Sequence, residues 1–436
     1  MPITFKPRSR TNFLRGNPKV FAAMSGGVDS SVAVLLLKRQ GYDVVGVFMK
    51  NWTENCEWQN DRRDAMRVCA KLNIPFLIFD FTKEYRREVI DYMVKEYIAG
   101  RTPNPDVMCN RRIKFGYFFK KARELGADYI ATGHYIRCRK IKNPAFDEVL
   151  DESRNNPTRW STYLNIAKYF KLSNRNSVDI VDPRGFTPRR LSLTSENSNY
   201  SGPTTFSLYQ AKDENKDQSY FLWTFTQKQL KHCLFPIGDY LKSEVREIAR
   251  KAGLATADKK DSQGLCFVGK VKFRDFLGDL LRKKSRKSRN KKINGSKNGL
   301  IKTTNGKIIG EHKGLEFYTI GQRHGIGIGG GEPYFAAEKD IKNNVLIVAH
   351  KNDPAFFKKE IFVKDVNLIY LSYGLRKAVL CKARVRYRQP LQDCEVCANG
   401  KKRLRVLFKK PAWAIAPGQS IVFYKNPEML GGGIIE

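Results

Sequence analysis

Val20-Phe21-Ala22-Ala23-Met24-Ser25-Gly26-Gly27-Val28-Asp29-Ser30-Ser31 is the stretch on which the reading of this chain turns. Five apolar residues in a row, Val20–Met24, suit a strand buried on both faces. After two glycines, Ser30–Gln40 reads as an apolar helix stopped by Gly41, a residue suited to ending one. Strand, glycine turn and helix in succession bring backbone N–H groups and a helix N-terminus to one point, which is an anion-binding arrangement. The hydroxyls of Ser25, Ser30 and Ser31 can add donors for phosphate oxygens. Asp29 has the wrong sign beside phosphates unless a Mg²⁺ lies between, which makes it the candidate metal ligand. The G-x-x-x-x-G-K-[ST] pattern of ordinary kinases and GTPases occurs nowhere.

Outward from this turn, strands and helices alternate. Val44–Met49 reads as the second strand. Ala65, Val68, Cys69 and Leu72 recur as one helix face, and Phe76–Phe81 is a third strand. Phe115, Phe118, Phe119 and Ala122 mark another helix before a fourth strand at Tyr129–Thr132. This alternation predicts an α/β fold, a parallel sheet covered by helices, with its ligand at the carboxyl ends of the strands. Lys140–Pro203, rich in Asn, Ser, Arg and Pro, reads as a surface insertion. Arg282–Lys302 carries ten Lys/Arg and no acid and reads as a second low-complexity stretch, and both are expected to be mobile. Beyond Asn344 the pattern turns β-rich, at Val345–Ala349, Ala378–Arg388, Cys394–Ala398, Leu404–Phe408 and Ile421–Tyr424. Asn399-Gly400 is a hairpin signal, so a small antiparallel β-barrel is expected at the C-terminus. The expected organisation is a basic segment 1–19, a catalytic domain 20–267 with the insertion 140–203, a central domain 268–343 with the insertion 282–302, and a barrel 344–436. Gly325–Gly331 formally contains G-x-G-x-x-G but runs into Glu332-Pro333, not into a helix, and reads as a flexible loop.

The chain has 436 residues and a formal charge of +37, and +27 remains when the ten cations of Arg282–Lys302 are set aside. Basicity spread over the whole chain points to a polyanion, most simply nucleic acid, with a basic organelle as the alternative explanation. No apolar run approaches the roughly 18 residues of a spanning helix, so no membrane role is expected. Nine cysteines, an odd number with no secretory signal, argue for a reducing compartment. The first 28 residues hold Lys6, Arg8, Arg10, Arg15 and Lys19 and no acid, which suits mitochondrial targeting, although Pro2 and Pro7 interrupt an amphipathic helix. The cytoplasm is the alternative.

Two cysteines have suggestive surroundings. Cys109 ends Asn104-Pro105-Asp106-Val107-Met108-Cys109, just ahead of the Phe115–Ala122 helix, whose N-terminus, with Arg111, Arg112 and Lys114, would lower a thiol pKa. Asp106 stands three residues earlier as a proton donor or acceptor. Cys266 lies between Gly264 and Gly269 with Lys259 and Lys260 nearby. On spacing alone either is more readily a buried small hydrophobe. Cys394 and Cys397 form a C-x-x-C on a strand, where positions i and i+3 face opposite ways, and read as structural. His134 follows the fourth strand at the carboxyl edge and is open to a structural or a binding role.

These motifs together resemble the tRNA-specific 2-thiouridylases of the ATP pyrophosphatase (PP-loop) superfamily, with an adenine nucleotide alpha hydrolase-like domain. The markers are Ser25–Ser31, Asn104-Pro105-Asp106 with Cys109-Asn110, Ala131–Tyr135, Lys216–Leu222, Asp261-Ser262 with Cys266-Phe267, Tyr318–Arg323 and Pro417-Gly418-Gln419. The resemblance implies ATP bound by Ala22, Ala23, Met24, Ser25, Gly26, Gly27, Val28, Asp29 and Ser30, with Met49 and Gly133 at the adenosine, and Mg²⁺ alongside. It implies a persulfide on Cys266 with Cys109 as its partner, a disulfide between the two after turnover, and Asn104, Pro105 and Asp106 at the target base. His134, Lys216, Asp217, Gln218, Arg386, Tyr387 and Gln419 would contact tRNA, and the cation and aromatic of Arg386-Tyr387 suit such a surface. The implied reaction is ATP-dependent 2-thiolation of the wobble uridine of tRNAs for Lys, Glu and Gln, fed by a persulfide-donor protein. Ala211, in place of the family's usual glycine, and the long Lys140–Pro203 stretch depart from the pattern. A ligase such as argininosuccinate or GMP synthetase, which needs no paired cysteines, and a non-catalytic RNA-binding protein are the competing readings.

Overall fold

The computed structural model describes residues 16–54, 58–141, 205–260, 273–287, 298–369, 378–400 and 403–436. Strands β1 (Lys19–Met24), β2 (Asp43–Lys50), β3 (Phe76–Asp80), β4 (Tyr129–Ala131) and β7 (Cys233–Leu234) form one parallel sheet in the order β3-β2-β1-β4-β7. The chain reverses direction across the sheet at β1, which carries the serine-glycine turn at its carboxyl end. Helix α1 (Val28–Arg39) buries an almost continuous apolar run against one face, together with α8 (Lys242–Lys251). Helix α2 (Trp58–Lys71) docks there through Ala65, Val68 and Cys69, the residues whose spacing marks it in the sequence. Phe21, Phe79, Phe81 and Phe118 form a further cluster of touching rings.

The helical run before β4 differs from expectation. It starts at α5 (Pro105–Met108), widens into π turns over Cys109–Phe118 and finishes as α6 (Phe119–Glu124). Asn104 caps it, its side chain accepting from Val107 N at 3.2 Å, with Pro105 in the first turn. Cys109 therefore lies inside the helix, a turn beyond its start, and not ahead of it.

The central part is β-structure. Strands β8 (Gly299–Thr303), β9 (Ile308–His312), β10 (Tyr334–Asp340) and β11 (Val345–His350) make a sheet in the order β10-β11-β8-β9. Two expectations change here. Strand β11, which the sequence reading groups with the barrel, pairs with β10 and β8 instead. Of the basic Arg282–Lys302 stretch, 282–287 continues helix α9 (Phe273–Lys287) and 299–302 belongs to β8; only its middle lies outside the described residues. The glycine cluster Gly325–Gly331 is a loop that leads into β10 without a helix.

The C-terminal barrel follows expectation and gains two strands that the pattern did not show, β12 (Phe357–Leu368) and β17 (Glu428–Ile435). The order β12-β15-β14-β13-β16-β17 closes by pairing β12 with β17, so the six-stranded ring has no free edge. Here β13 is Val379–Arg384, β14 Gln392–Ala398, β15 Leu404–Trp413 and β16 Ser420–Lys425. Its interior holds Val363, Ala383, Val396, Val406, Phe408, Ile421 and Phe423. Asn399 N donates to Arg403 O at 2.9 Å across the expected hairpin. Strands β5 (Arg137–Ile141) and β6 (Thr205–Tyr209) continue this sheet beyond β17. The Lys140–Pro203 insertion lies almost wholly outside the described residues, as does the basic segment up to residue 15.

Gly46 on β2 has no room for a side chain, because a Cβ there would overlap Cys69 Sγ of α2. Gly46→Ala is expected to cost about 2 kcal/mol in urea melts, by overpacking. Adding Cys69→Ala should return much of that loss, and strict additivity of the two would rule out this contact as the cause.

Candidate active site

The turn after β1 is built from its own hydroxyls. Ser30 Oγ accepts from Ser25 N at 3.2 Å and donates to Gly27 O at 3.0 Å, and Ser31 Oγ donates to the same carbonyl at 2.8 Å. Gly26 has φ +73°, and a Cβ would run into the carbonyl of Asp61 on α2, so both backbone conformation and space require glycine. Gly27 is the N-cap residue of α1 and no side chain caps the helix. The N–H groups of its first turn are thereby left to a ligand, with the positive end of the helix dipole behind them. Gly133 presses on the same turn from β4, where a Cβ would lie 2.7 Å from Ser30 N. Met49 is buried at the end of β2 and Asn51 follows it, 1% exposed. Neither Asn51 side-chain atom has a hydrogen-bond partner among the described residues. Donors, an open helix end and an unsatisfied buried amide at one sheet edge fit a nucleotide such as ATP.

Asp29 does not stand alone beside this site. Lys242 Nζ of α8 contacts both its oxygens, at 2.7 and 2.9 Å, and Tyr135 OH donates to it at 2.9 Å. Asp29 thus already has a counter-charge in this structure, from a lysine 213 residues away, where the sequence alone offers only Mg²⁺. Among the described residues no group of three or more His, Cys, Asp or Glu is arranged to hold a metal, and a Mg²⁺ bound mainly through nucleotide phosphates would need no such group. Thr256 Oγ1 donates to Ser31 Oγ at 3.0 Å, and Lys259 Nζ bridges Asp61 and Asp64 at 2.8 and 2.6 Å. Lys242 and Thr256 have no sequence signal, and Tyr135 and Lys259, though they fall in stretches singled out above, have none for this role, since each reaches its partner only through tertiary packing.

Asn104, Pro105 and Asp106 form the half-exposed first turn of the Cys109 helix, and Cys109 itself is fully buried and not in a disulfide. The segment ahead of them is held from two other parts of the chain. Thr102 N donates to Pro417 O at 2.8 Å, Gln419 Nε2 donates to Thr102 O and Pro103 O at 3.0 and 3.1 Å, and Lys339 Nζ donates to Gly100 O at 3.1 Å. Cys266 lies outside the described residues, so its distance from Cys109 is not part of this geometry.

The residues expected to touch tRNA divide into two groups. Lys216 and Tyr387 are half-exposed, Tyr387 packed on Phe221 with ring centroids 4.5 Å apart and Arg388 over its ring. Each of the others has at least one polar atom engaged within the protein in this structure. Asp217 is buried, accepting from Ala211 N, Ser219 N and Ser219 Oγ. Gln218 Oε1 accepts from Tyr135 N, Arg386 donates to Ile320 O and Ala414 O, and Gln419 is the strap described above. His134 is 6% exposed, with Nδ1 2.8 Å from Thr132 Oγ1 and Nε2 3.4 Å from Lys114 Nζ. Burial, reinforced by Lys114, holds its pKa well below the ordinary histidine value. One cysteine pair is new: Cys381 and Cys394 face each other across β13 and β14 with Sγ atoms 3.7 Å apart, while Cys397 turns away toward Arg405 O.

Fold and loop together define a nucleotide-binding α/β domain of the HUP type joined to two β-domains. A family model described as the tRNA methyl transferase HUP domain matches residues 18–168 and 195–270. The tRNA methyl transferase PRC-barrel domain matches 290–350, and the aminomethyltransferase beta-barrel domain matches 358–435. The tRNA-specific 2-thiouridylase MnmA of Bacillus licheniformis is 41% identical over 426 residues, covering 96% of this chain and 95% of the relative. That of Francisella philomiragia is 42% identical over 430 residues, covering 96% and 99%. The chain belongs to the tRNA-specific 2-thiouridylase family.

His134 also sets a pH dependence. Its pKa is lowered on folding, so the unfolded chain takes up the proton first, and stability falls as pH drops below the unfolded value of about 6.5. Chemical melts at pH 7 and pH 5 should show this loss in the wild type. In His134→Asn the part of the slope owed to this group should vanish; an unchanged slope would show that His134 is not its source.

Proposed function

We propose that this chain catalyses the ATP-dependent 2-thiolation of the wobble uridine (position 34) in tRNA. The observation that carries the reading is the match, over nearly the whole chain, to relatives named for that activity. The uncapped α1 turn and the charge of +37 support it, the first as a seat for phosphates and the second as a surface for RNA.

The chemistry explains why one site needs both a nucleotide and thiols. The C2 carbonyl of uracil is a poor electrophile with a poor leaving group. Attack of O2 on the α-phosphate of ATP releases pyrophosphate and turns that oxygen into the leaving group of AMP. Residues Ala22–Ser30 would hold the ATP, with Met49 and Gly133 at the adenosine, and Lys242 and Tyr135 hold the Asp29 carboxylate in place. Mg²⁺ is assigned to the phosphates of ATP itself, because the carboxylate at the turn is already engaged. Asn104, Pro105 and Asp106 would receive the base, which must leave the anticodon stack to reach them. A persulfide on Cys266 then delivers its terminal sulfur to C2 with loss of AMP, and the Cys109 thiolate cleaves the remaining S–S bond. In the other order, Cys109 first releases sulfide, which attacks C2. Either route leaves 2-thiouridine and a Cys109–Cys266 disulfide that a reductant must reopen. A persulfide-donor protein recharges Cys266. Lys216 and Tyr387 are the surface residues of the tRNA set, with Asp217, Gln218, His134, Arg386 and Gln419 supporting that surface from within. The tRNAs for Lys, Glu and Gln are the proposed substrates, and the acid-free basic N-terminus favours a mitochondrial destination over the cytoplasm.

Incubation with tRNA, ATP and a persulfide donor, followed by nucleoside mass spectrometry, tests the reading. Cys109→Ser and Cys266→Ser should each lower 2-thiouridine by more than about 10³-fold, while tRNA-stimulated pyrophosphate release persists. Normal thiolation by either variant removes that cysteine from the mechanism. Asp29→Ala should abolish AMP formation, and AMP release at the wild-type rate would refute the nucleotide site.

A further inference from the structure

We propose that Asn51 is the residue that selects adenine among nucleobases, its side-chain amide pairing with the donor–acceptor edge of the ATP base. The inference rests on the nucleotide reading above. Asn51 is 1% exposed, yet its amide nitrogen and amide oxygen both lack a hydrogen-bond partner among the described residues. A buried amide left unsatisfied at both ends is disfavoured in a folded protein, and an apolar residue of the same size would remove the penalty. Polar groups kept in that state are characteristic of sites completed by a ligand.

Position identifies which ligand. Met24, the last residue of β1 before the serine-glycine turn, pairs with Phe48 of β2. Asn51 stands three residues further along that strand direction, roughly 10 Å beyond the pair, at the same carboxyl edge. A nucleotide with its phosphates on the α1 turn and its base over the end of β2 would bring the base edge to Asn51. The chemistry then discriminates. Adenine presents an N–H donor beside a ring-nitrogen acceptor, which one amide can match with two hydrogen bonds. Guanine presents two acceptors at the corresponding edge, O6 and N7, and leaves the amide oxygen unmatched. Lys50, the neighbour on β2, is drawn off by Asp80 at 3.0 Å and lies over the Trp58 ring, 5.3 Å from its centroid.

The test compares full-length wild type with Asn51→Leu, and with Asn51→Ala should the leucine variant fail to fold. Three quantities are read: the melting temperature without ligand, the KM for ATP in tRNA-stimulated pyrophosphate release, and the preference for ATP over GTP. The expected result is a melting temperature equal to or above that of the wild type, with the KM for ATP raised about 10- to 100-fold for the two lost hydrogen bonds. The ATP preference should fall by a similar factor, with the KM for tRNA unchanged. A lower melting temperature with unchanged KM and preference would make Asn51 structural and overturn the proposal. A raised KM for tRNA alone would assign the amide to the target base and overturn it equally. A wild type with no pyrophosphate release at all would remove the nucleotide reading and this assignment with it, whereas a wild-type response shared by both variants removes the assignment only.

Discussion

The short segment Gly100–Asn104 is the constraint on which the site depends. It leads directly into the helix that carries Cys109, and its backbone is bonded to parts of the chain more than two hundred residues distant. Gln419 holds two successive carbonyls, Pro417 accepts from Thr102, and Lys339 takes the carbonyl of Gly100. Gly418 permits this approach, since a Cβ there would lie 3.0 Å from both Arg101 Cβ and Thr102 O. The cap at Asn104 then fixes where the helix begins and thus how deep Cys109 lies. The barrel and the central sheet therefore help to build the site and are not merely appended to it. Without them, the segment that leads into Cys109 would lose every hydrogen bond described above that holds Gly100, Thr102 and Pro103 to distant parts of the chain.

The same logic governs the nucleotide turn. Two charged clusters set its position from outside: Lys242 and Tyr135 on Asp29, and Lys259 on the α2 carboxylates Asp61 and Asp64. The second cluster matters because the carbonyl of Asp61 lies against Gly26. Lys259 therefore ties α2, and through it the floor of the turn, to the chain seven residues before Cys266 in sequence. Exposed ion pairs contribute little to stability, but these are partly buried and multiply bonded, and they fix geometry that a phosphate-binding turn needs.

How much of this was legible in the sequence depended on the range of the interaction. The Val20–Met24 strand, the glycine turn and α1 were local, and so were the faces of α2 and the Asn399-Gly400 hairpin. The start of the Cys109 helix was missed for a specific reason. Its inward residues include the pairs Asn110 with Phe115 and Ile113 with Phe118, each five apart, as π turns require. A search for spacing of three and four registers only the part from Phe115 onward. The reassignment of β11 has a different cause, because strand character is visible in Val345–Ala349 but its partner strands are not. His134, Asp217 and Gln419 show the same limit. Nothing local distinguishes a polar residue that meets a ligand from one that meets a backbone carbonyl across the fold.

Those buried polar residues also fix the surface above them from beneath. Asp217 accepts from two backbone N–H groups and Ser219 Oγ, and Arg384 stands 3.4 Å from it, over the ring of Tyr424. Tyr220 reaches the carbonyl of Ser420 at 2.7 Å, and Trp223 donates to Ser420 Oγ at 3.1 Å. The loop from Lys216 to Phe225 is thus moored to the barrel at several points, leaving Phe221 to pack against Tyr387 at its rim. An aromatic surface made from two separate domains keeps its shape only while both are docked. The same barrel also bonds, through Gln419 and Pro417, the segment that leads into Cys109, so the placement of this loop and of that thiol both depend on it.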